Sequence, residues 1–473
     1  MKTPHLSQVK RIHFIGIGGA GMGGIAEVLL HQGYEVTGSD ISQNAMVQRL
    51  KNLNAKIFPE HKAENISGAD VVVTSTAITQ DNPEVVAAHQ ARIPVIPRAQ
   101  MLADLMRSKQ GIAIAGTHGK TTTTSLVTAL LTEAGLDPTF VIGGLLKSAG
   151  AHARLGKSAF FVAEADESDA SFLYLYPQIA IVTNIDADHL GTYGGDFNRL
   201  CDTFIEFLHR LPFNGLAIIC ADDPIIRELI PRIARPIITY GFSEEADIRI
   251  TEFQPVGFHS RFKLSGSNLP ELEIILNLPG THNVLNAAAA CIVALQVGVA
   301  HSAIQQATQQ FSGVGRRLQV HTELQVPGGE VLLVDDYGHH PREISVTWAA
   351  IRQAWPERRL VVVFQPHRYT RTQDLFAEFV EVLSQGVDQL ILLDTYSAGE
   401  SPIPGADGQT LFEAVQKRSQ TNPLFVPKLE ALTEILNRVL RPGDVLLTQG
   451  AGNIGAISSQ LAAQGLTAIY AKA

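Results

Sequence analysis

The residues best equipped for chemistry lie in Gly116–Thr117–His118–Gly119–Lys120–Thr121–Thr122–Thr123. A glycine-bounded turn that ends in lysine and threonines can cradle a phosphate. Its backbone N–H groups point at the anion, the ammonium neutralises the outer phosphates, and a threonine hydroxyl can ligate Mg²⁺. The loop is shorter than the usual G-x-x-x-x-G-K-[ST], because Ile114 stands where the first glycine belongs. Every chemical part is kept. Acids follow in Glu164–Ala165–Asp166–Glu167–Ser168–Asp169, and Asn184–Ile185–Asp186–Ala187–Asp188–His189 adds more acids and a histidine. Carboxylates beside a phosphate loop are where Mg²⁺ ligands belong, although a solvated acidic turn has the same composition. His189 reads either as a metal ligand or as a hydrogen-bonding loop residue.

Three further groups stand out. Gly16, Gly18 and Gly21 form G-x-G-x-x-G, with Gly19 inside it and Asp40 about 20 residues on, the dinucleotide-binding fingerprint. Taken alone it suggests NAD or FAD and an oxidoreductase. Its physics says only that a helix N-terminus holds a diphosphate, with Asp40 placed to accept from a ribose or base donor. Tight packing of a first βαβ unit is the structural alternative. Asn283 and Asn286 are three apart on the first turn of a helix, so their amides suit an adenine edge or, equally, an N-cap. Asp335–Asp336–Tyr337–Gly338–His339–His340–Pro341 and Gln365–Pro366–His367–Arg368–Tyr369–Thr370–Arg371 bring together acids, histidines and arginines. Arg368 and Arg371 read as carboxylate or phosphate binders, because guanidinium grips oxyanions bidentately. Zinc is not expected: His339 and His340 are adjacent, His367 is remote, and no cysteine is near.

The elements that must position these residues follow from the apolar pattern. Arg11–Ile15, Tyr34–Gly38 and Val71–Ser75 read as the first three strands of one sheet, and Ala99–Arg107 as the helix that leaves it. Ile112–Ala115, Phe160–Ala163 and Ile179–Thr183 read as buried strands of a second sheet, with an alanine-rich helix from Ala287 to Ala294. Val331–Val334, Leu360–Phe364, Leu390–Leu393 and Val445–Leu447 read as a third, open and mainly parallel sheet. Each polar cluster falls at the carboxyl end of a strand. The expected class is α/β in three domains, 1–108, 109–313 and 314–473, a division suited to the 473-residue length.

Composition narrows the partners. A net charge of −9 with no Lys/Arg-rich run argues against nucleic acid or an acidic membrane face. Cys201, Cys220 and Cys291 are far apart and lack C-x-x-C spacing, which argues against disulfides and structural zinc. Met1–Arg11 is polar, without the apolar core of a secretion signal, and no run is long enough to span a membrane, so a cytoplasmic protein is expected.

In this order, G-I-G-G-A-G-M-G, G-T-H-G-K-T-T-T, E-A-D-E-S-D, N-x-x-x-D-H, H-N-x-x-N-A-A-A-A, G-R-R, D-D-Y-G-H-H-P and F-Q-P-H-R-Y-T-R-T resemble the Mur ligase family over essentially the whole chain. The short phosphate loop is the form that family uses. The resemblance implies an N-terminal Rossmann-like UDP-binding domain, a central ATPase-like domain and a C-terminal Rossmann-like domain. It also implies ATP-dependent, Mg²⁺-assisted ligation of L-alanine to UDP-N-acetylmuramate in peptidoglycan precursor synthesis, by a monomer or homodimer. A sibling that attaches a preformed peptide to the same UDP-sugar is the near alternative.

By motif, Gly16, Gly18, Gly19, Gly21 and Asp40 would hold the UDP-sugar. Gly116, Thr117, His118, Gly119, Lys120, Thr121 and Thr122 would hold the ATP phosphates, with Thr121 and Glu164 on Mg²⁺ and His189 on a second Mg²⁺. Asn283 and Asn286 would contact adenine, Arg317 the phosphates and Asp336 the ribose. His339, His367, Arg368 and Arg371 would line the muramoyl and alanine side. His339, His340 and His367 are candidate bases by pKa range alone.

Overall fold

The computed structural model describes residues 9–267 and 269–467. Met1–Gln8, most of the polar lead-in, lies outside them. Three sheets give a three-domain α/β architecture.

The first sheet contains β1 (Arg11–Ile15), β2 (Glu35–Ser39), β3 (Lys56–Phe58), β4 (Val71–Thr74) and β5 (Val95–Pro97), all parallel in the order β3-β2-β1-β4-β5. The stretch expected as a third strand is the fourth, because the three-residue β3 precedes it. Strand order reverses beside β1, so the loop after β1 opens at the switch point where α/β sheets bind ligands.

The second sheet has ten strands: β6 (Gln110–Ala115), β7 (Thr139–Leu146), β8 (Ala151–Arg154), β9 (Phe160–Glu164), β10 (Ile179–Val182), β11 (Leu216–Cys220), β12 (Ile237–Gly241), β13 (Ile248–Val256), β14 (His259–Gly266) and β15 (Leu269–Leu276). Their order is β15-β14-β13-β12-β11-β10-β6-β9-β7-β8. The central strand β6 is parallel to β9 and β10. Ile114 stands opposite Glu164 and Ala115 opposite Val182, so Glu164 and Thr183 flank the start of the loop that leaves β6.

The third sheet contains β16 (Gln319–Val326), β17 (Gly329–Asp336), β18 (Leu360–Phe364), β19 (Gln389–Leu393), β20 (Leu424–Val426) and β21 (Val445–Gln449), in the order β16-β17-β21-β18-β19-β20. Only β16, joined to β17 by a hairpin, runs antiparallel.

Described residues up to Phe253, with Phe262–Ile275 and Leu285–Ser312, form one compact unit. Gln254–Arg261, Leu276–Val284 and the described residues from Gly313 form a second. In the first, one apolar core runs from Ile12 and Phe14 of β1 through Ala113 and Ala115 of β6 to Phe204 and Phe207. In the second, Val362 and Phe364 of β18 pack on Ile344, Trp348 and Phe379 on one face, and Val361 and Val363 pack on Leu432 and Leu461 on the other. Parallel strands covered on both faces are continuous apolar runs, and so these strands were legible. All three cysteines are buried as free thiols. Among the described residues no helix is long and apolar enough to cross a membrane.

Candidate functional site

The loop after β6 is built by two glycines. Gly116 has φ +125° and Gly119 has φ +85°, both in the left-handed region. A Cβ on Gly116 would lie 2.1 Å from Thr183 Oγ1, and one on Gly119 would lie 2.5 Å from Asn286 Oδ1. Gly119 is the N-cap of the helix Lys120–Glu133 and contributes no side chain, so the helix end is left to an anion.

A neighbouring loop braces this one. Asn184 Oδ1 accepts from the His118 N–H at 2.8 Å, and its amide donates to His118 O at 2.9 Å. Thr183 Oγ1 donates to the same carbonyl at 2.6 Å, and Thr117 Oγ1 accepts from the Asp186 N–H at 2.9 Å. His118 Nε2 lies 3.3 Å from Asp186 Oδ2. Of the motif N-x-x-x-D-H, the asparagine and the residues beside it therefore hold the phosphate loop.

Lys120 folds back over the loop. Its ammonium donates to Gly116 O at 2.7 Å and Thr117 O at 3.1 Å, and to both oxygens of Glu167 at 2.8 and 2.7 Å. Desolvation works against its charge, but the carboxylates of Glu167, Asp166 and Glu164 outweigh it and raise the pKa. Burial pushes the Glu167 carboxyl up to about 7 against the pull of Lys120. Asp166 is also desolvated, yet Lys120, Ser168 and Arg98 hold it below the usual carboxylate range. Glu164 ends β9 and accepts from the Gly143 N–H at 2.9 Å. Thr121 is in the first turn of the helix. His189 has φ +56° and its ring lies 3.4 Å from Asp188 Oδ2. Asn286 stands against Gly119, whereas the Asn283 amide donates to Pro279 O at 2.8 Å.

The loop after β1 is fastened differently. Gly16 (φ +77°) and Ile17 donate to Ser39 O, and Asp40 Oδ2 accepts from the Gly18 N–H at 2.7 Å. Asp40 Oδ1 accepts from the Ser42 N–H at 2.7 Å, and the carboxylate is buried. Gly19 is the N-cap of the helix Ala20–His31, again without a side-chain cap. Arg98 lies over Gly21 and reaches Asp166 Oδ2 at 3.2 Å.

In the second unit the carboxyl edge of the third sheet collects the remaining residues. Asp336 Oδ2 accepts from the Leu318 N–H at 2.9 Å, and Oδ1 accepts from the Gly338 N–H at 2.8 Å. Arg317 lies 3.8 Å from Glu343 Oε1, over the Tyr337 ring. His339 Nδ1 lies 3.1 Å from Tyr337 O; a carbonyl can only accept, so Nδ1 carries the proton and Nε2 is left as an acceptor. Burial pushes this imidazole down to about 3, with Glu343 opposing and Arg371 assisting. His367 stacks on Tyr396, and burial together with Arg371 and Arg368 pushes it down to about 4. Arg371 is buried and donates to His367 O at 3.3 Å. Arg368 has φ +71°, a strained conformation for a residue with a Cβ. The edge thus brings together two arginines, which favour an anion, and two imidazoles that burial holds below their usual pKa. His340 caps the helix Pro341–Ala354 in a capping box with Glu343, a structural task for its Nδ1. Glu167, Asn184, Glu343 and Tyr396 were not singled out from sequence.

Three family models cover the chain in succession. "Mur ligase family, catalytic domain" matches residues 11–110, "Mur ligase middle domain" 114–294, and "Mur ligase, glutamate ligase domain" 316–452. Among solved structures, the UDP-N-acetylmuramate-alanine ligase MurC from Thermotoga maritima is 28% identical with a TM-score of 0.82. That match covers 97% of this chain and 99% of the other. A murein peptide ligase from Psychrobacter arcticus is 23% identical with a TM-score of 0.71, covering 98% and 100%, a likeness of fold. The UDP-N-acetylmuramate:L-alanyl-gamma-D-glutamyl-meso-diaminopimelate ligase from Neisseria meningitides is 28% identical with a TM-score of 0.59, covering 64% and 98%.

Proposed function

The chain belongs to the Mur ligase family of ATP-dependent ligases, and from that premise we propose that it joins L-alanine to the lactyl carboxylate of UDP-N-acetylmuramate, giving UDP-N-acetylmuramoyl-L-alanine, ADP and phosphate. The observation that carries the choice of amino acid is the end-to-end likeness to the alanine ligase from Thermotoga maritima. The peptide ligase from Neisseria meningitides among the similar structures supports the second reading, attachment of a preformed peptide to the same UDP-sugar.

A carboxylate oxygen is a poor leaving group, so the reaction proceeds in two steps. A lactyl carboxylate oxygen attacks the γ-phosphorus of ATP and ADP departs, which leaves an acyl phosphate. The ammonium of alanine loses a proton to give the free α-amine, which attacks the acyl carbon; phosphate leaves from the tetrahedral state and takes up the second proton that the nitrogen sheds as the amide forms. Lys120 and the N-terminus of its helix would neutralise the phosphates during transfer. Thr121 and Glu164 would hold one Mg²⁺ and His189 a second; a hydroxyl and a carboxylate beside the loop suit that hard cation, which when bound supplies further charge neutralisation. Asn283 and Asn286 are assigned to adenine, and Gly16, Gly18, Gly19, Gly21 and Asp40 to the UDP-sugar. In the second unit Arg317 and Asp336 are assigned to the nucleotide, and His339, His367, Arg368 and Arg371 to the muramoyl and alanine groups. His339 Nε2 and the two arginines would orient the amine and carboxylate of alanine. The domain limits 1–108, 109–313 and 314–473 belong to the same reading.

Phosphate release measured with UDP-N-acetylmuramate and, in turn, alanine, glycine, serine and a tripeptide tests this reading. The expected result is a kcat/KM for alanine about tenfold or more above that for glycine, the discrimination one methyl group supports. A preference for the tripeptide would overturn it in favour of the sibling activity.

A further inference from the structure

The ammonium of Lys120 has three protons, and four acceptors lie within 3.1 Å of it: Gly116 O, Thr117 O and both oxygens of Glu167. It has no donor left for a phosphate in this arrangement. The Glu167 side chain is only 2% exposed, so the pair is shielded and geometrically complete. Its position is built into the fold. The Glu167 carbonyl accepts from the Tyr193 hydroxyl and from the Ala170 N–H at 3.0 Å, and Ala170 holds φ +58°. On the other side of the same loop, Asp166 is held by Arg98.

Resting on the nucleotide reading above, we propose that Glu167 is a positioning residue that occupies Lys120 until nucleotide arrives, so that binding is an exchange of partners on the lysine. The ion pair between Lys120 and Glu167 breaks, an ion pair between Lys120 and a phosphate oxygen forms, and no covalent bond changes. The exchange opposes binding. Glu167 gives up its cation while Asp166 and Glu164 remain nearby, and apparent affinity falls with the fraction of molecules whose lysine is available. The clamp also keeps Lys120 on its own loop, ready beside the helix end where the phosphates dock.

The test is calorimetric titration of the full chain with the imido analogue of ATP and Mg²⁺, and separately with UDP-N-acetylmuramate, for wild type, Glu167→Gln and Glu167→Asp. Glutamine keeps the shape and removes the charge; aspartate keeps the charge and shortens the reach. Glu167→Gln is expected to bind the nucleotide about three- to tenfold more tightly, Glu167→Asp to fall between it and wild type, and the UDP-sugar to bind as before. A purely structural role would weaken both ligands together. Unchanged or weaker nucleotide binding by folded Glu167→Gln overturns the inference. If that variant fails to fold, Glu167→Asp decides in the same way, tighter binding supporting the inference and unchanged or weaker binding overturning it. Failure of the wild type to bind the analogue at all would instead overturn the nucleotide reading.

Discussion

Two glycine loops in the first compact unit, one after β1 and one after β6, end at uncapped helix N-termini, yet they meet negative charge in different ways. In the first, Asp40 from the end of β2 accepts from the Gly18 N–H, no lysine is present, and Gly19 has an ordinary φ of −65°. In the second, the two bounding glycines are both left-handed and Lys120 supplies a cation already paired with Glu167. The glycine pattern therefore marks only a helix end open to an anion. The residue added to it decides the rest: a carboxylate that fixes the loop, or a lysine paired with a buried acid.

The sharpest way to break this contrast is to remove the lysine. Lys120→Ala alone would leave the Glu167 carboxylate buried without its cation, a loss of about 3 kcal/mol. The double substitution Lys120→Ala/Glu167→Gln should keep most of the thermal stability while lowering ligation by about a thousandfold or more. Activity near wild type in that folded protein would remove the second loop from the chemistry.

A second contrast lies in the glycines. Gly116→Ala forces a Cβ to 2.1 Å from Thr183 Oγ1 at φ +125°, so a melting experiment should show a loss of about 2–4 kcal/mol. At Gly19 the nearest atom to a new Cβ is 3.7 Å away, and Gly19→Ala should stay within about 0.5 kcal/mol of wild type. Equal losses at the two positions would contradict the difference between the loops.

A modest effect is expected at Asp40. Asp40→Asn retains an oxygen acceptor for Gly18 and loses the charge, for about 1 kcal/mol of stability. The KM for the UDP-sugar should rise a few-fold while that for ATP stays constant. An effect on ATP alone would reverse the assignment of the loops.

The sequence was most readable where buried parallel strands leave unbroken apolar runs, as in Leu360–Phe364 and Ile179–Val182. It was least readable in hairpins. In β14, buried Ser260, Phe262 and Leu264 alternate with Arg261, Lys263 and Ser265, so no apolar run marks the strand. At the site, the glycines and Lys120 were legible because loop geometry demands them. Which acid in Glu164–Asp169 turns inward was not, because that depends on Tyr193 and Ala170 shaping the loop from outside the motif. Asp40, which by spacing suits a ribose or base donor, also accepts a backbone N–H on each of its oxygens, a bracing role that the motif does not reveal. His340 carried a usable signal: histidine, then proline at the first helical position and glutamate at the third, is the pattern of a helix start.

Whether the two loops hold different ligands is decided by titrating Lys120→Ala/Glu167→Gln with the imido analogue of ATP and with UDP-N-acetylmuramate. Nucleotide binding is expected to be lost while the UDP-sugar binds as it does to wild type. Loss of UDP-sugar binding, with the nucleotide retained or lost as well, would contradict it.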